Sequence, residues 1–235
     1  VYEYTLGRSG DYAKEFLADW NGTYLHCDGY AGYKKLVGKT LCGCLVHAKR
    51  KFHEAYEINK SNEYAKQGET YIRKLFQLET KADETELSLR ERLEMRQTKS
   101  KQVLDEFYSW ISQIESKILP KSLMGKAITY AINQKEYLEN FLKDGRIQLS
   151  NNLAEQSVKP FVIGRSNWLF ANTPNGANAS TLIYSIIQSA ILNNLIPQKY
   201  LTFVFDTIQS SRDASHLVPW SDKIPESCKN KKSQN

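Results

Sequence analysis

Apolar residues recur along this chain with two different periods, and the first 58 residues show both. Val1 to Leu6, VYEYTL, mixes β-branched and aromatic residues in near alternation, which predicts a strand closed by a turn at Gly7 to Gly10. From Asp11 to Trp20 the spacing changes to three and four, with Tyr12, Ala13, Phe16, Leu17 and Trp20 on one face. That pattern predicts an amphipathic helix covering a sheet. Asn21-Gly22 turns the chain, and Thr23 to Cys27 has the short apolar run of a buried strand. The strand delivers Asp28 at its C-terminal end, the edge where open α/β sheets hold ligands. Asp28-Gly29 is also a common turn dipeptide, and that account competes with the first.

From about Asn59 to Leu142 the pattern becomes helical and strongly charged. Val103, Leu104, Phe107, Trp110, Ile111, Ile114 and Ile118 mark one face of a long helix, and Ile128, Ile132, Tyr137, Leu138 and Phe141 mark another. Between Glu79 and Lys101 charge dominates, which predicts a solvated helix or helical hairpin. Further on, Pro174-Asn175-Gly176 is expected to be a loop, and Ser180 to Leu195 a core helix with a wide apolar face. Ile196-Pro197 should end it, Tyr200 to Ile208 should form a short helix, and Ser221 to Asn235 should be a disordered tail.

Composition narrows the class of protein. With 235 residues and 41% hydrophobic content the chain can bury one substantial core plus an added helical piece. A net charge of +6 suits a polyanionic partner without demanding one. Four cysteines in a chain of this length do not make a secreted disulfide framework, so a reducing cytoplasm is expected. No stretch reaches the roughly 18 uninterrupted apolar residues of a membrane span, and Val1 opens no signal sequence.

The most informative stretch is Gly145 to Phe170, GRIQLSNNLAEQSVKPFVIGRSNWLF. Ser150, Asn151 and Asn152 can each accept from the free N–H groups of a helix start, which places Glu155 in or near the first turn. At four residues per turn Asn151, Glu155 and Lys159 share a face, and Pro160 should kink or end the helix. By itself this describes a capped helix with an acid near its positive end, worth about 0.3–1 kcal/mol. The longer pattern says more. Asp144-Gly145-Arg146, Asn151-Asn152-Leu153-Ala154-Glu155, Lys159-Pro160 and Gly164-Arg165-Ser166-Asn167-Trp168-Leu169-Phe170 together resemble the C-terminal signature of the insertion sequence sixty-six family of DDE transposases. Only Lys159 departs from it, standing where the family has Arg. Cys27-Asp28-Gly29-Tyr30-Ala31-Gly32-Tyr33 resembles the segment around the family's second catalytic Asp, Gly43 to Phe52 its G-C-x-x-H-A-R-R-x-F run, and Leu217-Val218-Pro219-Trp220 its terminal motif.

The resemblance implies an α/β, ribonuclease-H-like fold, here partial and lacking its first strand, with an inserted helical domain. Residues 1–58 would be the first part of the core, 59–144 the insertion, 145–210 the second part, and 211–235 a tail. Asp28 and Glu155 would be two acids of a catalytic triad that holds Mg²⁺ or Mn²⁺ for cleavage and joining of DNA. The family's first Asp should precede the second by several tens of residues, and only 27 residues precede Asp28, so the first acid is expected to lie outside this chain. The fragment is then expected to be inactive alone, and an exposed sheet edge invites pairing. DNA ends and target, and further copies of the chain in the active complex, are the implied partners. A bacterial cytoplasm with nucleoid association is the implied location.

Lys49, Arg50, Asn152, Lys159, Arg165 and Trp168 are the candidate DNA contacts. Arg165 and Trp168 can grip a phosphate and stack on a base, or form a structural turn with a buried ring; Lys49 and Arg50 can contact phosphates or simply be solvated. The Cys44-x-x-His47 pair lacks the second ligand pair that zinc ordinarily needs, which favours packing or hydrogen bonding near the active site. Two other functions fit parts of the pattern: a non-catalytic DNA-binding or assembly module, and a ribonuclease-H-like nuclease unrelated to transposition.

Overall fold

The computed structural model describes residues 1–168, 171–210 and 213–230, with the side chains of residues 165–168 left out. The chain divides into two compact units, residues 8–154 and residues 1–7 with 155–235.

The first unit is built on a small parallel sheet. Helix α1, Gly10–Phe16, starts on a Ser9 cap and leads to β1, Tyr24–His26; β2 is Thr40–Cys42. The two strands pair in parallel, Tyr24 with Thr40, Leu25 with Leu41 and His26 with Cys42. Seven helices are numbered in this unit. After α1 come α2 (Leu45–Ile58), α3 (Glu63–Glu84), α4 (Leu89–Met95), α5 (Lys101–Ile114), α6 (Leu123–Asn133) and the single turn α7 (Lys135–Leu138). One apolar core unites them: Cys42 from the sheet, Leu45 and Phe52 from α2, Ile72 and Leu75 from α3, Leu104, Phe107 and Ile111 from α5, Ala127 and Ile128 from α6, and Ile147 and Leu149 beyond α7. The helical stretch therefore shares the core of β2 and α2. At Gly68 close packing excludes a side chain, because a Cβ would fall 2.4 Å from the Phe52 ring.

The charged stretch from Glu79 to Lys101 departs from expectation. It is a hairpin of α3 and α4, turned at Glu86 with φ +50° and restarted by a Ser88–Glu91 capping box, followed by a π-turn at Arg96–Ser100. Arg96 is 1% exposed rather than solvated. Its Nε and Nη2 donate to both oxygens of Glu79 at 2.7 Å, and Nη1 donates to the carbonyls of Asp144 at 2.8 Å and Phe141 at 3.2 Å. Arg92 also donates to Glu79, at 2.8 Å, and pairs with Asp83. Periodicity counts charged residues as surface, but opposite charges that satisfy one another can enter a core.

In the second unit, α8 starts in the first (Asn152–Ala154) and runs to Trp168. Pro160 neither ends nor splits it. The carbonyl four residues earlier belongs to exposed Gln156, where water can replace the lost hydrogen bond. Helix α9, Pro174–Leu192, begins with a Thr173 cap and Pro174 in its first turn, so the expected loop is a helix start. It is less buried than its apolar face implies, with Leu182 61% and Leu192 81% exposed. Helix α10 is Pro197–Ile208. A small core gathers Ala190, Leu195, Tyr200, Ile224 and Cys228. Part of the expected tail is thus ordered: Leu195 bridges Lys229, and the Asn230 N–H donates to the Asn194 carbonyl at 2.9 Å. Val1 to Leu6 pairs with no described strand; the Tyr2 N–H donates to Ser185 Oγ at 2.7 Å and its ring lies 5.6 Å from that of Phe161.

Candidate active site and nucleic-acid contacts

Parallel pairing aligns the carboxyl ends of β1 and β2, and the residues with chemical potential follow both strands. The ladder continues one residue past β1, where the Cys27 N–H donates to the Cys42 carbonyl at 3.0 Å. Asp28 comes next and is exposed. Its Oδ1 accepts the Tyr30 N–H at 3.1 Å, so the turn reading and the strand-end reading are both correct. A 3₁₀ turn, Ala31–Lys35, follows, with the Tyr30 and Tyr33 rings edge to face at 5.8 Å and the Arg8 guanidinium 5.4 Å from the Tyr30 ring.

Beyond β2, the Gly43 N–H donates to the Tyr137 carbonyl at 2.8 Å, and Cys44 caps α2 from a fully buried position. Burial alone would raise the Cys44 thiol, but the His47 imidazole and the main-chain N–H groups of Asn151 and His47 favour the thiolate, and the balance lies below the ordinary value. Cys27 and Cys42 behave oppositely, each pushed up to about 11, mainly by burial. Tyr130 of α6 is pushed up to about 12, first by burial and then by the charges of Cys44, Asp28 and Cys27. All four cysteines are buried free thiols.

Glu155 lies in the first turn of α8, near its positive end, and is exposed. Asn152 and Lys159 are exposed as well. Asn151 is not on their solvated face: it precedes the helix and is 8% exposed, with no hydrogen-bond partner for Oδ1 among the described residues. Asp28 and Glu155 belong to different units, each described within its own. On α2, Lys49 Nζ lies 3.8 Å from Glu69 Oε1, and His53 Nδ1 lies 3.1 Å from Glu69 Oε2. With Val46 and exposed Arg50 these residues line a recess of about 200 Å³. The side chains of Arg165 and Trp168 lie outside the described residues.

The sequence reading missed an open groove of about 510 Å³ lined by Trp20, Tyr24, His26, Arg146 and Gln148, among others. The signal was there in the period-two spacing of Ile147, Leu149 and Asn151. Among the described residues no three His, Cys, Asp or Glu side chains cluster as a ready metal site, and no helix is long and apolar enough to cross a membrane. Mg²⁺ can use one or two carboxylates together with water and phosphate oxygens, and exposed Asp28 and Glu155 have the oxygen chemistry it takes.

The described chain is mixed α/β and mostly helical, with one acid past a parallel strand end and another at a helix start. The family model "Transposase IS66 family" matches residues 1–179, and the chain belongs to that family. It is 30% identical over 248 residues to the uncharacterized protein y4hP of Sinorhizobium fredii, covering 95% of this chain and 44% of that protein. The uncharacterized proteins y4qI and y4jD of the same organism are also 30% identical, over 95% and 94% of this chain and 43% and 45% of their own lengths. The chain thus spans a little under half the length of these relatives. No solved structure matches it.

Proposed function

We propose that this chain is part of the catalytic domain of a transposase that cleaves DNA and joins it to a target with divalent metal ions, on a ribonuclease-H-like core. Membership of the transposase family supports a transposase-related function, and the position of Asp28 past the carboxyl end of β1 is the observation that carries the site assignment. In this reading Asp28 and Glu155 hold Mg²⁺ or Mn²⁺. Such ions, when bound, activate the attacking oxygen and neutralise charge on the leaving one. The chain's own contribution is to hold two exposed carboxylates, one past a strand end and one at a helix start, whose oxygens are the donor type that hard cations take. The remaining acid comes from a segment of the kind that the longer relatives carry outside the matched region. Residues 1–58 and 145–210 form the core in this reading, 59–144 the helical insertion and 211–235 the closing segment.

DNA is the proposed partner, met by Lys49, Arg50, Asn152, Lys159, Arg165 and Trp168, with a second copy of the protein in the active complex. Lys49 and Arg50 neutralise phosphates, which makes binding fall with salt. The test is strand transfer on terminal-repeat DNA. The 235 residues alone should give none, and supplying the upstream segment should restore it in Mg²⁺. Activity of the bare chain would contradict the assignment of the remaining acid. Salt-dependent DNA binding that survives Asp28→Ala and Glu155→Ala, with no metal-dependent chemistry in any form, would instead make the chain a DNA-binding or assembly module.

A further inference from the structure

Between α7 and α8 the chain runs as a strap without helix or strand, Ile147 to Asn151, in which every second residue is buried. Ile147, Leu149 and Asn151 are buried, and Gln148 is exposed. The strap has no ladder of its own, yet the first unit holds it at successive points. Arg96 donates to the Asp144 carbonyl at 2.8 Å where the strap begins. The His26 ring then meets the Gln148 carbonyl, Nε2 to oxygen at 2.6 Å. A carbonyl can only accept, so Nε2 carries a proton; Nδ1 is buried with no hydrogen-bond partner among the described residues. The Leu45 N–H donates to the Leu149 carbonyl at 2.9 Å, directly after Cys44, which is 1% exposed at the start of α2 and whose thiolate the Asn151 N–H favours.

These contacts join sequence positions that are far apart. His26 ends β1 two residues before Asp28, and Gln148 lies seven residues before Glu155. Cys44 follows β2, and its neighbour Leu45 bonds to Leu149, three residues before α8 begins. We propose that His26 and Cys44 are positioning residues that fasten the strap to the strand leading to Asp28 and so fix where α8 begins. His47, one turn along α2, favours the Cys44 thiolate as well. The role in catalysis rests on the transposase reading above; the fastening itself does not. It gives the Cys44-x-x-His47 spacing a use that needs no metal: a large, weakly solvated sulfur accepts a main-chain N–H inside an apolar core.

Amide hydrogen exchange on the 235-residue chain tests this, read at the Leu45 and Asn151 N–H groups. His26→Leu and Cys44→Ala should each speed exchange at both sites by about tenfold or more, while amides of Leu104 to Ile111 in α5 stay slow. His26→Gln, which keeps a side-chain N–H donor, and Cys44→Ser, which keeps an acceptor, should return exchange toward wild type. Unchanged exchange at Leu45 and Asn151 in both disruptive variants overturns the proposal. Equal acceleration throughout α5 overturns it too, since the residues would then support only general stability. In the cleavage reaction reconstituted with the upstream segment, the disruptive variants should lower kcat about tenfold with KM for DNA unchanged, and Gln and Ser should restore it. Faster exchange with unaltered kcat would rule out the positioning role. A wild-type protein that cleaves nothing defeats the catalytic reading, and the exchange result then decides the fastening by itself.

Discussion

Cys44 shows what one residue's surroundings can do to its chemistry. It is buried like Cys27 and Cys42, but the His47 imidazole and the main-chain N–H groups of Asn151 and His47 favour its thiolate enough to outweigh burial. Thiolate absorbance near 240 nm should therefore show one titration step below the ordinary thiol range, removed by Cys44→Ala, whereas Cys27 and Cys42 titrate near 11. A lowest step unaffected by Cys44→Ala would refute the described contacts. Asp144 gives the acid counterpart. Hydrogen bonds from the Arg146 side chain and main chain lower its carboxyl from 3.8 to about 2. The folded state favours the ionised form, so this contribution to stability is present above the unfolded value of 3.8 and disappears as pH falls through about 2. Asp144→Asn should flatten the dependence of urea stability on pH between 4 and 2. The sequence placed Asp28 after a strand and Glu155 in a first helical turn from local signals alone. It could not place His26, because the Gln148 carbonyl it meets is 122 positions away.

At the scale of elements, the α3–α4 hairpin depends on a buried ion pair and on one glycine. Replacing Arg96 by Met leaves Glu79 inside with only Arg92, and should cost about 3–5 kcal/mol in urea unfolding. Pairing it with Glu79→Leu should cost less than the sum of the two single changes. A change under 1 kcal/mol for Arg96→Met would show that the pair is solvated. Gly145 has a different constraint: a Cβ there would lie 2.1 Å from the Leu89 carbonyl oxygen. Gly145→Ala should destabilise by about 1–3 kcal/mol, because the hairpin backbone has to move. Helix periodicity identified α5, whereas the face read from Ile128 to Phe141 as one helix is broken after Asn133 into α6, α7 and a 3₁₀ turn. It failed for Arg96, since pairing with Glu79 is a tertiary property, and for the helix through Pro160, where exposure removes the penalty that a buried proline carries.

For the whole molecule, the central claim is that Asp28 and Glu155 serve the same metal-dependent reaction although 127 positions separate them and each belongs to a different unit. The signature motifs made the family legible because they span much of the chain. The parallel strand pair puts Asp28 just past its carboxyl edge, and the strap leads to the start of α8, where the proposal places the second acid. The most direct measurement is metal-dependent cleavage of terminal-repeat DNA by the chain together with its upstream segment, comparing wild type with Asp28→Asn and Glu155→Gln. Each substitution should reduce the rate by about a thousandfold or more while DNA affinity stays within a few-fold of wild type. Cleavage at near wild-type rate by either variant would contradict the account.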